Sequence, residues 1–146
     1  MAFHNLIGKR GEEIAVAILR QKGYTIEQTN WRLGHLEVDI IASNKDEIVF
    51  AEVKTRTSTF GGKMPEESVD RVKRARLVAA ANAYIKYHRI EKKPRFDIIG
   101  ILLEKNTGEI LMQTHLEDAF IPALRTIHAN SYSGQYKWKH RRRVIK

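Results

Sequence analysis

The chain has 146 residues, enough for one sizeable core, and 42% of them are hydrophobic, which excludes a disordered protein. It contains no cysteine, which excludes a disulfide framework and a thiolate metal site. Charged residues interrupt the N-terminus before a signal peptide could form, and no apolar run is long enough to span a bilayer, so we expect a cytoplasmic protein. The formal net charge is +9 and the segment after Asp118 contains no acidic residue, which favours a polyanionic partner.

The first half of the chain predicts one helix followed by three strands. Residues 5–22 carry apolar side chains at helical spacing, and Gly23 is placed to end the helix. Residues 24–31 are rich in β-branched and aromatic side chains, which predicts a strand. Residues 36–42 and 47–56 predict two more strands, and the turn-forming residues between them indicate a hairpin.

The second half of the chain predicts a long helix and two strands. Residues 57–64 form a predicted flexible loop, after which a proline opens a helix over residues 65–88. Residues 95–103 predict a buried strand because almost all of their side chains are apolar. Residues 109–115 predict a fifth strand, and a short helix is expected near residues 118–127.

This order, α-β-β-β-α-β-β, predicts an α/β fold with a mixed central β-sheet flanked by helices. We expect a single domain over residues 1–129 and a basic C-terminal tail over residues 130–146. Aromatic and basic residues alternate in the tail, which suits base stacking and phosphate contact. A solvated terminus that aids solubility, or aromatic side chains docked on the core, would explain the same sequence. The tail residues that we predict to bind nucleic acid are Lys137, Lys139, Arg141, Arg142 and Arg143.

Asp39, Glu52 and Lys54 form the central group of candidate residues. Side chains alternate between the faces of a strand, so Glu52 and Lys54 share one face with Ile48 and Phe50. If the two predicted hairpin strands pair, Asp39 stands beside Glu52 and Lys54. Two acids and a lysine on neighbouring strands could hold a divalent cation such as Mg²⁺ or Mn²⁺ against a phosphate.

The alternative for these residues is a solvated sheet face that carries a cross-strand salt bridge. Phe50 on the same face argues against this alternative, because charges on a half-buried face are costly unless they are paired or used. On the preceding strand, strict alternation separates two sets of residues: Leu36, Val38, Ile40 and Ala42 on one face, and Glu37, Asp39 and Ile41 on the other.

The first predicted helix contributes one further acid. Gly8, Glu12, Ala15 and Leu19 lie in one row beside the apolar face, so Glu12 is expected to point inward while Glu13 faces solvent. The alternative for Glu12 is a boundary residue that pairs with a lysine.

The second predicted helix contributes positive charge. Lys73 lies among apolar neighbours and could reach a phosphate near the site, although a lysine that snorkels to water would show the same pattern. Arg71, Arg74 and Arg76 occupy the same turns and suggest a surface that contacts a nucleic-acid backbone. Arg56, on the third predicted strand, is another candidate for binding nucleic acid.

Several motifs occur in a fixed order along most of the chain: Gly8-x-x-Gly11-Glu12-x-x-Ala15, Asn30-Trp-Arg32, Glu37-Val-Asp39-Ile-Ile-Ala42, Phe50-Ala-Glu52-Val-Lys54-Thr-Arg56, Phe60-Gly61, Lys73 and Arg95-Phe-Asp97. This ordered set resembles the YraN-like family of small bacterial proteins, whose biological role is uncertain. That family is grouped with the PD-(D/E)xK nucleases, which include restriction endonucleases and archaeal Holliday-junction resolvases. The resemblance runs from about Leu6 to Leu116 and implies a restriction-endonuclease-like core.

The resemblance also implies a role for individual residues. Asp39 and Glu52 would ligate the metal, together with the carbonyl of Val53. Lys54 would orient water and balance charge in the transition state. Glu12 would join them from the first helix as an accessory acid.

Glu37 is a further accessory candidate, and Leu36 departs from the family, which often has glycine at this position. The favoured hypothesis is a Mg²⁺- or Mn²⁺-dependent endonuclease acting on DNA, with branched or structured DNA as one class of substrate. One alternative is a nucleic-acid-binding module that keeps the nuclease fold but cleaves nothing unaided, or only with a DNA-processing protein partner. Another is an interaction domain whose charges are purely structural. A homodimer would suit symmetric cutting of two strands.

Overall fold

Two helices and five strands make up the protein in a computed structural model that describes residues 3–58 and 70–120. The elements are helix α1 (Phe3–Gln21), strands β1 (Thr25–Leu33), β2 (Leu36–Ser43) and β3 (Glu47–Ser58), helix α2 (Arg71–His88), and strands β4 (Lys93–Glu104) and β5 (Ile110–Leu116). Their order is the predicted one, so the α/β class is confirmed. The arrangement is consistent with the restriction-endonuclease-like core that the family resemblance implies.

The five strands form one mixed sheet in the order β1-β2-β3-β4-β5. β3 and β4 are parallel, and every other neighbouring pair is antiparallel. α2 lies in the crossover that a parallel pair requires. The predicted hairpin between β2 and β3 is present, and its turn is fixed by the Asn44 side chain, which accepts hydrogen bonds from the backbone N–H groups of Asp46 and Glu47 at 3.0 and 2.8 Å.

The two helices cover opposite faces of the sheet. α1 packs through Ala15 and Leu19 on a cluster that contains Val49. α2 packs on a second cluster that contains Ile48 and Phe50. Because successive residues of β3 alternate between these clusters, the predicted faces of this strand are correct.

The start of α2 differs from the prediction. Asp70 is the N-cap, and its side chain accepts a hydrogen bond from the backbone N–H of Lys73 at 2.9 Å. An aspartate in this position satisfies one of the free N–H groups of the first helical turn. The helix therefore begins at Arg71 and not at Pro65, and residues 65–69 lie outside the described part of the chain.

Three other expectations concern loops and the C-terminus. β3 continues to Ser58, so the first two residues of the predicted loop over residues 57–64 belong to the strand. Residues 118–120 are not helical, and the remainder of the predicted helix over residues 118–127 is outside the described residues, as is the tail over residues 130–146. The domain boundary at residue 129 therefore stays a prediction. Neither helix in the described part of the chain has the length and apolar character needed to cross a membrane.

A buried polar network joins β3, β4 and β5. The guanidinium of Arg95 donates two hydrogen bonds to Asp97, at 2.8 and 2.7 Å, and one to Glu47 at 2.8 Å. Asp97 is fully buried and also lies 2.7 Å from His115 Nε2 and accepts a hydrogen bond from the backbone N–H of Asp118 at 3.0 Å. Burial lowers the pKa of Arg95, but its hydrogen bonds to Asp97 and the charge of that carboxylate outweigh burial and leave the pKa raised. The network thus links three neighbouring strands through buried side chains.

α1 approaches β3 closely at Gly11, and this contact generates a prediction about stability. A Cβ atom added at Gly11 would overlap Thr55 Oγ1 and lie 2.9 Å from Thr55 Cβ. Thr55 belongs to a strand and cannot move away without a backbone shift, so Gly11→Ala should lower the free energy of unfolding by about 1–3 kcal/mol. Urea denaturation would measure the change.

Gly8→Ala is the matched control on the same helix. No atom lies within 4 Å of a Cβ added at Gly8, so this substitution should leave the stability unchanged or raise it by up to about 1 kcal/mol. Equal midpoints for the two variants would contradict the close helix–strand contact.

Candidate active site

The candidate site forms where β2 separates from β3. The ladder between these strands ends at the pair Ile40↔Ala51, one residue short of Asp39. Beyond that pair, Asp39 Oδ2 accepts a hydrogen bond from the backbone N–H of Val53 at 2.8 Å. A carboxylate thus takes the place of a backbone carbonyl, and the opening between the strands begins at Asp39.

β1 is irregular at the same level of the sheet. The ladder between β1 and β2 skips Asn30 and Asp39, and Asn30 has a left-handed backbone with φ 52°. Asparagine is one of the few residues that tolerates this conformation. Val38 consequently packs in the cluster that contains Ile41 and not in the one that contains Ile40. Leu36 packs against the same cluster as Val38. The predicted grouping of Leu36 and Val38 with Ile40 and Ala42 is therefore wrong, because strict alternation fails on β2 at this point.

A cleft of about 290 Å³ occupies the opening between β2 and β3. α1 and α2 border it from the two sides of the sheet. Its lining includes all four predicted catalytic residues, the predicted backbone ligand and three further candidates, namely Asp39, Glu52, Lys54, Glu12, Val53, Glu37, Arg56 and Lys73.

Residues on both sides of the cleft are joined by an ion pair between α2 and β3. Lys73 Nζ lies 3.1 Å from Glu52 Oε2, and the Glu52 side chain is only 13% exposed. Burial lowers the pKa of Lys73, but the charge of Glu52 and the hydrogen bond to it outweigh this effect and leave the pKa raised. The Lys73 side chain therefore ends on a carboxylate of the cleft, rather than extending past it into water.

The carboxyl group of Asp39 is held among like charges. Burial raises its pKa, and the carboxylates of Glu52, Glu12 and Glu37 raise it further. The hydrogen bond from the Val53 N–H lowers the pKa, and the net result is a value of about 7. The ordinary value is 3.8. The protein thus keeps an acid where the negative charge is not fully compensated, which is a common feature of functional sites.

Lys54 lies on β3 beside these acids and is partly buried. Its pKa is lowered by burial and by the positive charge of Lys73, while the charge of Glu52 acts in the opposite direction. Two lysines and several acids therefore share one partly desolvated space. In such surroundings each charge interacts more strongly with its neighbours than it would in water.

α1 presents Glu12 to the cleft. Glu12 is partly buried above the fully buried Ala15 and Leu19, whereas Glu13 is exposed, as the helical rows predict. Asn30 Nδ2 donates a hydrogen bond to Glu12 Oε1 at 2.9 Å, so the partner of this glutamate is an asparagine and not a lysine.

The donor set of the cleft bears on metal binding. In residues 3–58 and 70–120, no three His, Cys, Asp or Glu side chains are grouped closely enough to hold one metal ion together. Asp39 and Glu52 offer two carboxylates, and Mg²⁺ is commonly bound by one or two carboxylates with waters and phosphate oxygens completing its shell. The set therefore fits a partly hydrated Mg²⁺ or Mn²⁺ rather than an ion enclosed by protein ligands.

The predicted nucleic-acid-binding residues fall into three groups. Lys73 and Arg56 line the cleft. Arg76 is exposed on α2, as is Arg71, whereas Arg74 lies over the Phe120 ring at 5.3 Å from its centroid. The tail residues Lys137, Lys139, Arg141, Arg142 and Arg143 lie outside the described residues.

Sequence reasoning missed two features that shape the site. The first is the role of Asn30, which donates a hydrogen bond to Glu12. The sequence offered this asparagine inside a strand pattern and in the Asn30-Trp-Arg32 motif, but neither signal indicated its partner. The second is the pairing of Lys73 with Glu52. The sequence offered a lysine on an apolar row of α2 that belongs to the family motifs, but it did not indicate Glu52 as the partner. In both cases the partner is distant in the chain.

The raised pKa of Asp39 generates a prediction about pH. Between the ordinary value of 3.8 and about 7, the folded protein holds a proton that the unfolded chain has released, so the free energy of unfolding falls as the pH rises through this interval. Asp39→Asn keeps an acceptor for the Val53 N–H and carries no charge. At pH 8 without divalent metal it should be more stable than the wild type, by an amount limited to about 1.4 kcal/mol per pKa unit.

Urea denaturation in EDTA between pH 4 and 8.5 would measure this difference. The two proteins should have similar stability near pH 4 and diverge above it. Glu13→Gln removes an exposed carboxylate from the same end of the molecule and should follow the wild type. Parallel stability curves for the wild type and Asp39→Asn would refute the assigned environment of Asp39.

Comparison with known proteins identifies relatives over most of the chain. The model of the "Uncharacterised protein family UPF0102" matches residues 11–101. A UPF0102 protein of Bacteroides thetaiotaomicron is 47% identical over 124 residues, which cover 85% of this chain and 99% of the relative. UPF0102 proteins of Parabacteroides distasonis and Flavobacterium psychrophilum are 45% and 42% identical, covering 86% and 82% of this chain and 100% and 98% of the relatives. The resemblance to the YraN-like family is confirmed, and the chain belongs to the UPF0102 (YraN) family.

Proposed function

We propose that this protein is a metal-dependent endonuclease that hydrolyses phosphodiester bonds in DNA. The observation that carries the proposal is the convergence of Asp39, Glu52 and Lys54 on one cleft at the opening between β2 and β3. These residues come from two rigid strands, which hold reacting groups more accurately than loops do. Their resemblance to the PD-(D/E)xK motif adds support, because two acids and a lysine have the same order in those nucleases.

Asp39 and Glu52 would hold the cation, joined by the Val53 carbonyl. Burial and, after it, the charge of Glu52 raise the pKa of Asp39, and a divalent cation is the partner that would compensate both charges at once. When bound, it would polarise the scissile phosphate and lower the pKa of the attacking water. Mn²⁺ would serve in place of Mg²⁺, since both prefer oxygen ligands.

Lys54 and Glu12 would act on the reacting phosphate and on water. The ammonium of Lys54 is partly buried, so it can stabilise the negative charge that develops in the transition state more strongly than a solvated group could. Glu12, held by Asn30, is placed at the same cleft to assist as an accessory acid. Glu37, on the exposed side of the cleft, would contribute through its charge.

Positive charge around the cleft supports nucleic acid as the substrate. Arg56 borders the cleft, while Arg71 and Arg76 are exposed on α2. Residues of this kind contact phosphates and position a duplex without reading its sequence. Such contacts do not select a sequence, so linear DNA and branched or structured DNA are both candidate substrates.

A second candidate function is a nucleic-acid-binding module that cuts only when a protein partner presents the substrate. The ion pair between Lys73 and Glu52 favours it, because Glu52 is engaged in the isolated chain. A domain whose charges are purely structural is a third reading. The raised pKa of Asp39 argues against that reading, since a structural carboxylate is normally compensated.

The nuclease proposal predicts metal-dependent cutting of DNA. Linear, flapped and four-way-junction DNA would be incubated with the full chain and Mg²⁺ or Mn²⁺. Asp39→Asn and Lys54→Met should each lower the cleavage rate at least about 100-fold, because the first weakens a metal ligand and the second removes a charge that acts on the reacting phosphate. Glu13→Gln, which alters an exposed residue next to Glu12, should cut like the wild type.

Two outcomes would change the assignment. Cutting that survives both Asp39→Asn and Lys54→Met would show that this cleft is not the site. Binding of DNA without any cutting would favour the partner-dependent module, and adding candidate DNA-processing proteins would then test that function.

The basic tail predicts salt-dependent binding. Residues 130–146 contain six lysines and arginines and no acidic residue. Their deletion should weaken DNA binding and flatten its salt dependence, by a slope of about 0.9 for each phosphate contact that is lost. Fluorescence anisotropy would measure the affinity and its salt dependence between roughly 50 and 200 mM salt, the range in which phosphate contacts weaken. Unchanged affinity and slope would exclude the tail from the interface.

A further inference from the structure

The ion pair between Lys73 and Glu52 connects α2 to the candidate metal site. Lys73 Nζ contacts Glu52 Oε2 at 3.1 Å, and Glu52 is 13% exposed whereas Lys73 is 41% exposed. The lysine thus reaches from the surface into the cleft and ends on one of the two carboxylates that would bind a cation. We propose that Lys73 is a gating residue, which neutralises Glu52 until a divalent cation takes its place and then turns to the phosphate of the substrate. This inference rests on the proposed function of the cleft.

Lys73 and a divalent cation cannot both bind Glu52 Oε2 without strong repulsion between them. Mg²⁺ binds carboxylate oxygens at about 2.0–2.1 Å, so an ammonium on Glu52 Oε2 would lie within a few ångströms of a divalent charge. Repulsion between like charges at that distance is large in a partly buried site. Lys73 must therefore release Glu52 Oε2 before this oxygen becomes a ligand.

Lys73 can make this exchange without any movement of α2. Its backbone N–H is fixed by the N-cap side chain of Asp70 at 2.9 Å. Further along the helix, Tyr84 anchors α2 through edge-to-face contacts with Trp31 and Phe50, at ring-centre distances of 5.3 and 5.9 Å. The side chain of a lysine has a long flexible stem, so its ammonium can change partners while the helix remains in place.

The charges in the cleft suggest what would receive the released ammonium. Its lining contains four carboxylates, on Glu12, Glu37, Asp39 and Glu52, and three basic side chains, on Lys54, Arg56 and Lys73. These groups come from α1, β2, β3 and α2. Just outside the lining, Arg32 lies 3.0 Å from Glu37, so the formal charges of the acids and bases at the cleft balance. A divalent cation would therefore leave an excess of positive charge, which the negative charge of a phosphodiester would offset. Release of Lys73 would in this way couple metal entry to substrate binding.

Binding of Mn²⁺ to the metal-free full chain tests the gate independently of cleavage. Mn²⁺ affinity would be measured by calorimetry and by electron paramagnetic resonance for the wild type, Lys73→Met, Lys73→Gln, Arg76→Met and Asp39→Asn. Removing the ammonium should raise the Mn²⁺ affinity by about tenfold, because a charge-assisted hydrogen bond no longer competes for Glu52. Arg76→Met removes a positive charge from the exposed surface of the same helix and should bind like the wild type. Asp39→Asn should abolish binding.

Thermal unfolding provides a second readout that a purely structural salt bridge would not produce. Without metal, both Lys73 variants should unfold at a lower temperature than the wild type, because Glu52 loses its partner. Saturating Mn²⁺ should raise their unfolding temperature by more than it raises that of the wild type, in line with tighter binding to the folded state.

The outcomes separate the gate from the proposed function. Tighter Mn²⁺ binding by both Lys73 variants, lost when Asp39→Asn is added, supports the gate even if the wild type binds too weakly to measure. Wild-type or weaker affinity in the Lys73 variants overturns the gate and leaves the metal site standing. Absence of Mn²⁺ binding in the wild type and in both Lys73 variants overturns the metal site and the gate together.

Discussion

The separation of β2 from β3 at Asp39 is the constraint on which the candidate site depends. A continued ladder would give the Val53 N–H a backbone carbonyl as its acceptor and would leave no opening between the strands. Instead, Asp39 Oδ2 accepts this hydrogen bond at 2.8 Å. The buried N–H remains satisfied, as a folded protein requires, while the strands diverge. One carboxylate thus ends the ladder, creates the cleft and contributes to its charge.

The rest of the structure brings further groups to this opening from both faces of the sheet. On one face, Gly11 lets α1 pack closely against Thr55 of β3. Glu12, the next residue of the helix, then lines the cleft. On the other face, the N-cap at Asp70 fixes the first turn of α2, from which Lys73 extends to the cleft. The site therefore combines residues from α1, the sheet and α2. The positions of its side chains depend on helix packing as much as on strand pairing.

Local patterns in the sequence were enough for part of this arrangement. Alternation gave the correct faces of β3, and helical spacing separated the inward Glu12 from the exposed Glu13. Alternation failed at Val38 because β1 and β2 are irregular where Asn30 and Asp39 pass each other, whereas the rule assumes regular strands. The start of α2 failed for a different reason: a proline and an aspartate five residues apart are both good first-turn signals, and only the folded chain selects between them.

Two buried aspartates in this protein show how structure and function place different demands on the same side chain. Asp97 is fully buried, but it is bound by the guanidinium of Arg95, by His115 and by a backbone N–H, so its charge is compensated inside the fold. Asp39 has one backbone donor and faces three other carboxylates, which together with burial raise its pKa to about 7. Lys54 and Lys73 both interact with Asp39, yet the pKa of Asp39 stays raised, so the two lysines do not fully compensate its charge. The contrast between these aspartates therefore locates the uncompensated charge at the cleft, where a cation from solution and the phosphate it carries would complete the set of partners.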